Sequence, residues 1–302
     1  MTERLADFYG TYQSTIGYIG LNGLLALSVY TTLSCGQLAL GNAGFMAIGA
    51  YAAVLLTMEA HVPFGLSLLA GTLLPALVAV PLGLPVLRLK GVFLAIATIG
   101  FGEVVRLSLV NSEAVNGAQG IVAIPQKTSV GLIFAALALA VALLGRLKGS
   151  KWGFALEAIR EDEPAARTMG IPTGAYKLSM LALGAALAGL AGALEAHFTF
   201  MVAPNGFGFD RVVDMLVFAV VGGSGVVFGP VVGAAFLTLL PEVLREVAPM
   251  VGIEPGPLRM AVDGLVLLLV ILFLPNGIVS LAGVIRARRS GRRPAGGTES
   301  TR

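Results

Sequence analysis

The amino-acid sequence predicts an all-α polytopic membrane protein with about eight to ten transmembrane helices. The prediction depends on the apolar composition, a series of long apolar segments, and the clustering of the basic residues. The 302 residues are 56% hydrophobic and 12% charged, with a mean hydropathy of +0.88. A soluble globular domain carries about twice this share of charged residues. We therefore expect a single membrane domain over residues 1–302, with a bilayer as its solvent.

Nine apolar segments are candidates for membrane spans, because a helix needs about 20 apolar residues to cross a bilayer. They are Thr15–Leu33, Leu38–Thr57, Phe64–Leu87, Val92–Val110, Val130–Leu144, Leu178–His197, Val212–Val227, Val231–Val247 and Met260–Leu274. The second segment contains three glycines, Gly41, Gly44 and Gly49. It could therefore be a short or re-entrant element. The seventh segment contains Asp214, so the sequence leaves the depth of both segments open.

Basic residues cluster in a central loop and in the C-terminal tail. These two stretches hold twelve of the twenty Lys and Arg residues, namely Arg146, Lys148, Lys151, Arg160, Arg167, Lys177, Arg286, Arg288, Arg289, Arg292, Arg293 and Arg302. Short basic loops remain in the cytoplasm, so we expect the loop and the tail on that side. The tail, residues 286–302, is expected to be disordered and attracted to anionic lipid head groups.

The predicted crossings agree with this orientation. Four candidate segments separate the loop from the tail, and two separate the loop from a third basic mark at Arg88 and Lys90. Both numbers are even, as placement on one side requires. Counting back through three spans puts the N-terminus outside if the second segment spans fully, and inside if that segment is re-entrant.

The central loop, residues 146–177, predicts two short helices. The first runs through Leu156, Ala158 and Ile159, and the second has Asp162 as its N-cap and ends at Gly170. Such a short helix is unstable alone, and its apolar face needs a partner. That face is formed by Ala165, Ala166 and Met169. Spacing alone leaves two partners open: an ATPase groove or the chain's own surface.

The segment Ala155–Lys177 resembles the cytoplasmic signature of the LivM-type permeases, the membrane subunits of branched-chain amino-acid ABC importers. Stretches on both sides look like the same family, in the order and at the spacing expected of it, and together they cover about Gly36 to Gly277. These stretches are Gly36–Phe45 with Gly49-Ala50-Tyr51, Leu87–Thr98, Gly222–Gly225 with Phe228-Gly229-Pro230 and Gly233, Asp263-Gly264 and Leu274–Gly277. The sequence departs from the family pattern at Glu157, where a basic residue is common, and at Asn276, where glutamine is usual.

The resemblance implies a permease subunit that moves leucine, isoleucine and valine into the cytoplasm of a bacterium across its inner membrane. The implied partners are a homologous second permease subunit (LivH-like), two cytoplasmic ATPase subunits (LivG/LivF-like) and a periplasmic or lipid-anchored amino-acid-binding protein. The chain has no Gly-x-x-x-x-Gly-Lys-Ser/Thr phosphate loop, so ATP hydrolysis belongs to partners. The residues expected to couple to the ATPase are Arg160, Glu161, Asp162, Glu163, Ala165, Ala166, Arg167, Met169 and Gly170.

Several polar residues fall within or beside the predicted spans, where they are functional candidates. Glu103 and Arg106 lie three residues apart and are expected to pair on one helix face, with a gating contact as the alternative. Candidate pathway-lining residues are Gln37, Asn42, Thr98, Glu103 and Asp214; for Asp214 and Asp263, a hydrogen bond to a neighbouring helix is the other reading. His61 and His197 lack metal-ligand spacing. We therefore expect no metal site, and we also expect neither a cofactor nor a nucleic acid as a ligand.

Two other transport functions are compatible with parts of the sequence, and a membrane enzyme is less so. A urea or short-amide ABC permease shares the architecture and many of the glycine motifs. A stand-alone secondary transporter would align buried charges with broken helices and would need no docking helix. A membrane enzyme would need a nucleophile–base pair or a metal cluster, and the sequence shows neither.

Overall fold

The computed structural model describes residues 2–223 and 225–251, and these residues are predominantly helical. In chain order the helices are α1 Thr2–Leu33, α2 Asn42–Met58, α3 Phe64–Val86, α4 Val92–Val110, α5 Val130–Lys148, α6 Lys151–Glu161, α7 Glu163–Thr168, α8 Thr173–Thr199, α9 Phe209–Gly222 and α10 Phe228–Val251. Strands β1 (Ile121–Val122) and β2 (Met201–Val202) pair as a two-stranded antiparallel ribbon. The ninth predicted span, Asp263 and the tail 286–302 lie outside the described residues.

The predicted fold class is confirmed. In the described part of the chain, five helices are long and apolar enough to cross a membrane: the stretch Tyr12–Leu33 of α1, together with α3, α4, α5 and α8. Two shorter apolar helices, Asn42–Met58 and Phe228–Leu240, fall on further predicted segments. The connection between the two flanking helices is shorter than the predicted loop 146–177, because α5 continues to Lys148 and α8 already begins at Thr173.

Helix α8 packs against α1, α2 and α3 through small residues. A Cβ atom on Gly184 would lie 2.5 Å from Thr31 Oγ1 of α1, and one on Gly192 would lie 2.3 Å from the Met46 carbonyl oxygen of α2. Small residues allow such close approach where no hydrophobic effect drives helices together. The four-residue spacing of Gly184, Ala188 and Gly192 therefore serves helix packing.

The second predicted segment forms one uninterrupted helix that starts later than expected. Residues 38–41 are not helical, Gly41 precedes the first turn, and α2 passes through Gly44 and Gly49 without a break. Residues 34–41 form a largely buried connection between α1 and α2, which we call the α1–α2 break. The segment is thus a 17-residue helix preceded by irregular backbone.

The predicted end of the seventh segment at Val227 is wrong. Helix α9 ends at Gly222, and Gly223 adopts a φ of +94°, a conformation that favours glycine and stops the helix. The start of α10 approaches this end closely, since a Cβ on Gly222 would lie 1.9 Å from the Gly229 carbonyl oxygen. The glycines here end one helix and allow the next one to pack against it.

Contacts between helix ends place α6 and α7 at one end of the bundle. A Cβ on Gly36, just after α1, would lie 3.4 Å from Arg160 Cα in α6. Arg88 and Lys90, which follow α3, line the same cavity as Glu163 of α7. The start of α1 and the β1–β2 ribbon are at the opposite end, where the Tyr51 hydroxyl donates a 3.4 Å hydrogen bond to the Val202 carbonyl oxygen.

Candidate functional site

Helices α6 and α7 form a compact unit, residues 151–168, which we call the α6–α7 unit. Ser150 caps the start of α6, where its Oγ accepts a 3.2 Å hydrogen bond from the Trp152 amide. Asp162 alone separates the two helices and caps α7, where its Oδ1 accepts a 3.0 Å hydrogen bond from the Ala165 amide. An aspartate at this position accepts a hydrogen bond from an otherwise unpaired amide, and its negative charge interacts favourably with the helix dipole. The predicted N-cap is therefore confirmed.

The end of α7 is set by Gly170. The helix ends at Thr168, two residues before the predicted end, because the last turn closes with bonds from residues beyond it. The Gly170 amide donates to the Arg167 carbonyl oxygen at 3.0 Å, and the Ile171 amide donates to the Ala166 carbonyl oxygen at 3.1 Å. Gly170 has a φ of +83°. This pattern is the helix-ending motif that requires glycine.

Glu163, the first residue of α7, anchors the unit to α8. Its carboxylate accepts a 2.6 Å hydrogen bond from Lys177 Nζ and another of 2.6 Å from Arg167 Nη2. The Glu163 and Lys177 side chains are only 16% and 13% exposed. Partial burial raises the pKa of the Glu163 carboxyl, but the bonds and charges of Lys177 and Arg167 outweigh it and hold that pKa below its ordinary value. Glu163 is therefore ionised at neutral pH and bridges the two helices.

The nine predicted coupling residues divide into two groups. Ala166 is 4% exposed and Glu163 is largely buried, so both face the chain itself. The others are exposed: Arg160, Glu161, Asp162, Ala165, Arg167, Met169 and Gly170. The predicted apolar face is therefore split. Its Ala166 turns inward, while Met169 is 82% exposed.

Two aromatic residues of α6 were missed by the sequence analysis. Phe154 is 66% exposed, and Trp152 lies against the Tyr176 ring at the start of α8, with 4.5 Å between the ring centroids. The inner face of α6 contains Gly153, Leu156 and Ile159, which are three residues apart and buried. That spacing was the available signal, because it puts Phe154 on a different side of the helix.

Three candidate pathway-lining residues meet at the α1–α2 break. The Leu40 amide donates a 2.8 Å hydrogen bond to Thr98 Oγ1, and Asn42 Nδ2 donates a 2.8 Å bond to Ser28 Oγ. Gln37 Oε1 accepts from the Cys35 thiol at 3.4 Å. Gln37, Asn42 and Thr98 are all buried. Thr98 thereby satisfies a backbone amide that has no helical partner at the break, as membrane depth requires, while Asn42 and Gln37 bond other side chains.

The other two candidates lie elsewhere. Glu103 and Arg106 form the predicted ion pair on α4, with Arg106 Nε 2.9 Å from Glu103 Oε1. Arg106 Nη1 also donates a 3.3 Å bond to Asn205 Oδ1, in the loop after α8. This pair thus lies toward the end of the bundle opposite the α6–α7 unit. Asp214 is exposed on α9.

A second ion pair at that opposite end was not predicted. Arg211 Nη2 of α9 lies 2.6 Å from Glu195 Oε2 of α8, and the two side chains are 19% and 21% exposed. Glu195 falls within the predicted apolar segment Leu178–His197, and an ionisable residue inside such a segment was the signal that could have identified it.

Two comparisons relate the chain to known proteins. A family model described as branched-chain amino acid transport system / permease component matches residues 12–271. The high-affinity branched-chain amino acid transport system permease protein LivM of Escherichia coli (strain K12) is 32% identical, with 87% of this chain and 67% of that protein covered. The protein of the same description from Salmonella typhimurium gives the same identity and coverage.

A more distant relative comes from an archaeon. The probable branched-chain amino acid transport permease protein LivM of Methanocaldococcus jannaschii is 25% identical, with 65% of this chain and 62% of that protein covered. No solved structure matches the chain significantly.

Proposed function

Because the chain belongs to the family of permease components of branched-chain amino acid transport systems, we propose that it supplies part of the translocation pathway of an ABC importer. The cargo is leucine, isoleucine and valine. Partner ATPase subunits hydrolyse the ATP, a second permease subunit completes the pathway, and a binding protein delivers the substrate.

The anchoring of the α6–α7 unit supports this division of labour most directly. A stand-alone transporter needs no small helix fixed at both ends and braced by a largely buried ion pair. Glu163 joins α7 to Lys177 in the first turns of α8 at 2.6 Å. Helix α8 in turn packs closely on α1, α2 and α3. A push on α7 is therefore passed to four helices as a rigid-body movement.

The exposed residues of the unit are suited to an ATPase groove. Short helices dock into such grooves with a few apolar side chains at the centre and polar ones at the rim. Met169, which follows α7, and Phe154 and Trp152 on α6 are exposed apolar side chains, and Arg160 and Arg167 are exposed charged ones.

The unit is assigned to the cytoplasm. Its basic residues and those at Arg88 and Lys90 lie at the same end of the bundle, which is the arrangement that the positive-inside rule requires. The start of α1 then lies on the periplasmic side, together with the Glu103–Arg106 pair and the β1–β2 ribbon. This is the end that a binding protein would meet.

The α1–α2 break is assigned to the pathway together with Gln37, Asn42 and Thr98. The backbone there is irregular, and the Thr98 hydroxyl bonds its Leu40 amide, so the break resembles the interrupted helices that line transport pathways. Glu103 and Asp214 are assigned to the periplasmic half of the route.

Reconstitution tests the function. The chain is placed in liposomes with candidate second-permease and ATPase subunits, and the binding protein is added outside. The expected result is ATP-dependent accumulation of labelled leucine, isoleucine and valine, with no comparable accumulation of urea. Accumulation of urea instead would favour the short-amide permease, and ion-driven uptake by the chain alone would identify a secondary transporter.

The substitution Met169→Asp is expected to reduce association with the ATPase subunits at least about tenfold. Burial of a methionine side chain contributes about 1.5–3 kcal/mol, and the new charge would be desolvated in the groove. The measurement is co-purification of the ATPase with tagged chain. Val122→Asp is the matched control, because Val122 is 59% exposed on the ribbon at the other end of the bundle. Equal loss of association in both variants would contradict the docking role of Met169.

A further inference from the structure

A cavity of about 620 Å³ lies between the end of α3 and the start of α8, beside α7. Its described lining contains four basic side chains and one acidic side chain: Arg88, Lys90, Arg167, Lys177 and Glu163. The cavity lies at the same end of the bundle as the α6–α7 unit, where the spans meet the membrane surface. Its volume is in the range of pockets that hold small organic ligands.

The positive charge of this cavity is not balanced by the protein around it. Both oxygens of the Glu163 carboxylate are already used, Oε1 by Arg167 and Oε2 by Lys177, each at 2.6 Å. Among the residues whose side chains the structure describes (12–223, 225–240 and 242), no carboxylate forms an ion pair with Arg88 or Lys90. Arg88 and Lys90 line the cavity and are exposed. The cavity therefore favours an anionic ligand.

The cavity continues into an apolar surface along α3. Its wall includes Leu84 and Leu178, and Leu84 is 61% exposed. Leu77 and Leu73 of the same helix are 67% and 58% exposed. Intervals of seven and four residues put these three leucines on one face of α3. A ligand with a charged group in the cavity and hydrocarbon chains along this face would satisfy both surfaces.

We propose that this cavity binds the head group of an anionic phospholipid, with the phosphate between Arg88, Lys90 and Arg167 and the acyl chains along the leucine face of α3. Basic pockets between transmembrane helices on the cytoplasmic side are suited to acidic lipid head groups. A free phosphate ion would use the same cations but not the leucines. The proposed lipid binding does not depend on whether the chain transports amino acids.

The bound phosphate would connect the end of α3 to the α6–α7 unit. Arg167 belongs to α7, while Arg88 and Lys90 follow α3, so one phosphate can contact both elements. A charge-assisted hydrogen bond is about twice as strong as a neutral one. The lipid would therefore anchor the unit at a second point, in addition to the Glu163–Lys177 pair. Anionic lipid is expected to favour the position of the unit in which both anchors form.

The test measures lipid bound to the purified full-length chain by native mass spectrometry, with phosphatidylglycerol, phosphatidylcholine and inorganic phosphate as separate probes. The double variant Arg88→Gln, Lys90→Gln is compared with Arg146→Gln, Lys151→Gln, which removes the same charge at the same end of the bundle outside the cavity. On the scale that applies at an anionic membrane surface, each basic residue that contacts the phosphate contributes about fivefold in affinity. The first variant is expected to bind phosphatidylglycerol about 25-fold more weakly, and the control about as tightly as the unmodified chain.

A third variant separates lipid from free phosphate. Leu84→Asn is expected to weaken phosphatidylglycerol binding and to leave the binding of inorganic phosphate unchanged. Equally tight phosphatidylglycerol binding by Leu84→Asn and the unmodified chain would overturn the proposal, because the leucine face would then not contact the lipid. Equal loss of phosphatidylglycerol in the two double variants would also overturn it, because it would show attraction to the whole surface. So would unchanged lipid binding with lost ATPase association in Arg88→Gln, Lys90→Gln, which would assign the cations to a protein partner.

Discussion

The substitution Glu163→Gln is expected to reduce substrate uptake by about tenfold to a hundredfold while the chain still inserts and binds its ATPase. The change removes the charge that holds Lys177, whose side chain is 13% exposed. Hydrogen bonds to charged groups contribute about 1.5–3 kcal/mol, and this range corresponds to the stated loss if the anchored position of α7 is the productive one. The measurement is labelled leucine uptake in liposomes, with the ATPase subunits present and quantified.

A second substitution distinguishes anchoring from simple loss of charge. In the double variant Glu163→Gln, Lys177→Gln no unpaired ammonium remains, so part of the uptake should return. Glu59→Gln removes one carboxylate at the exposed end of α2 and should leave uptake unchanged. If the free-energy effects of the two single substitutions on uptake simply add in the double variant, the two residues act separately and the proposed bridge is wrong.

Replacement of Gly49 by alanine is expected to destabilise the bundle by about 3 kcal/mol or more. The new Cβ would lie 2.3 Å from the Gly189 Cα of α8 and 2.5 Å from the Gly71 carbonyl oxygen of α3. Both neighbours are backbone atoms, which cannot rotate away, so α2, α3 and α8 would have to separate. Heat-induced loss of the monodisperse peak in size-exclusion chromatography would measure the effect.

Gly100 provides the matched control for this substitution. It also lies inside a membrane helix, but a Cβ there would meet no atom within 4 Å. Gly100→Ala should therefore be neutral or stabilise the chain by about 0.5–1 kcal/mol, since alanine favours a helix more than glycine does. Similar stability of the two variants would show that the close contact at Gly49 does not hold the helices together.

The sequence predicts the features that depend on local patterns. Apolar runs of about 20 residues fixed the main spans, and Asp162 followed by Glu163 and Pro164 predicted the start of α7, because an N-cap acts within one helical turn. The two-residue error at its end has a local cause as well: the glycine that ends a helix lies beyond the last helical residue.

The features that the sequence did not predict depend on contacts between distant segments. Glu163 and Lys177 are fourteen residues apart, and only the return of α8 beside α7 brings them together. Thr98 and Leu40 are 58 residues apart, so the role of Thr98 at the α1–α2 break required the packing of α4. The inward position of Ala166 likewise follows from the docking of α7 and not from its apolar character.

Trp152 gives this chain a natural optical probe. It is the single tryptophan of the sequence, and its ring lies 4.5 Å from that of Tyr176, so it spans the joint between α6 and the beginning of α8. At 44% exposure, its emission wavelength will respond to any change in local hydration. Stopped-flow recordings of the intrinsic signal could therefore time the transmission step, with tryptophan-free partner subunits and without an attached dye.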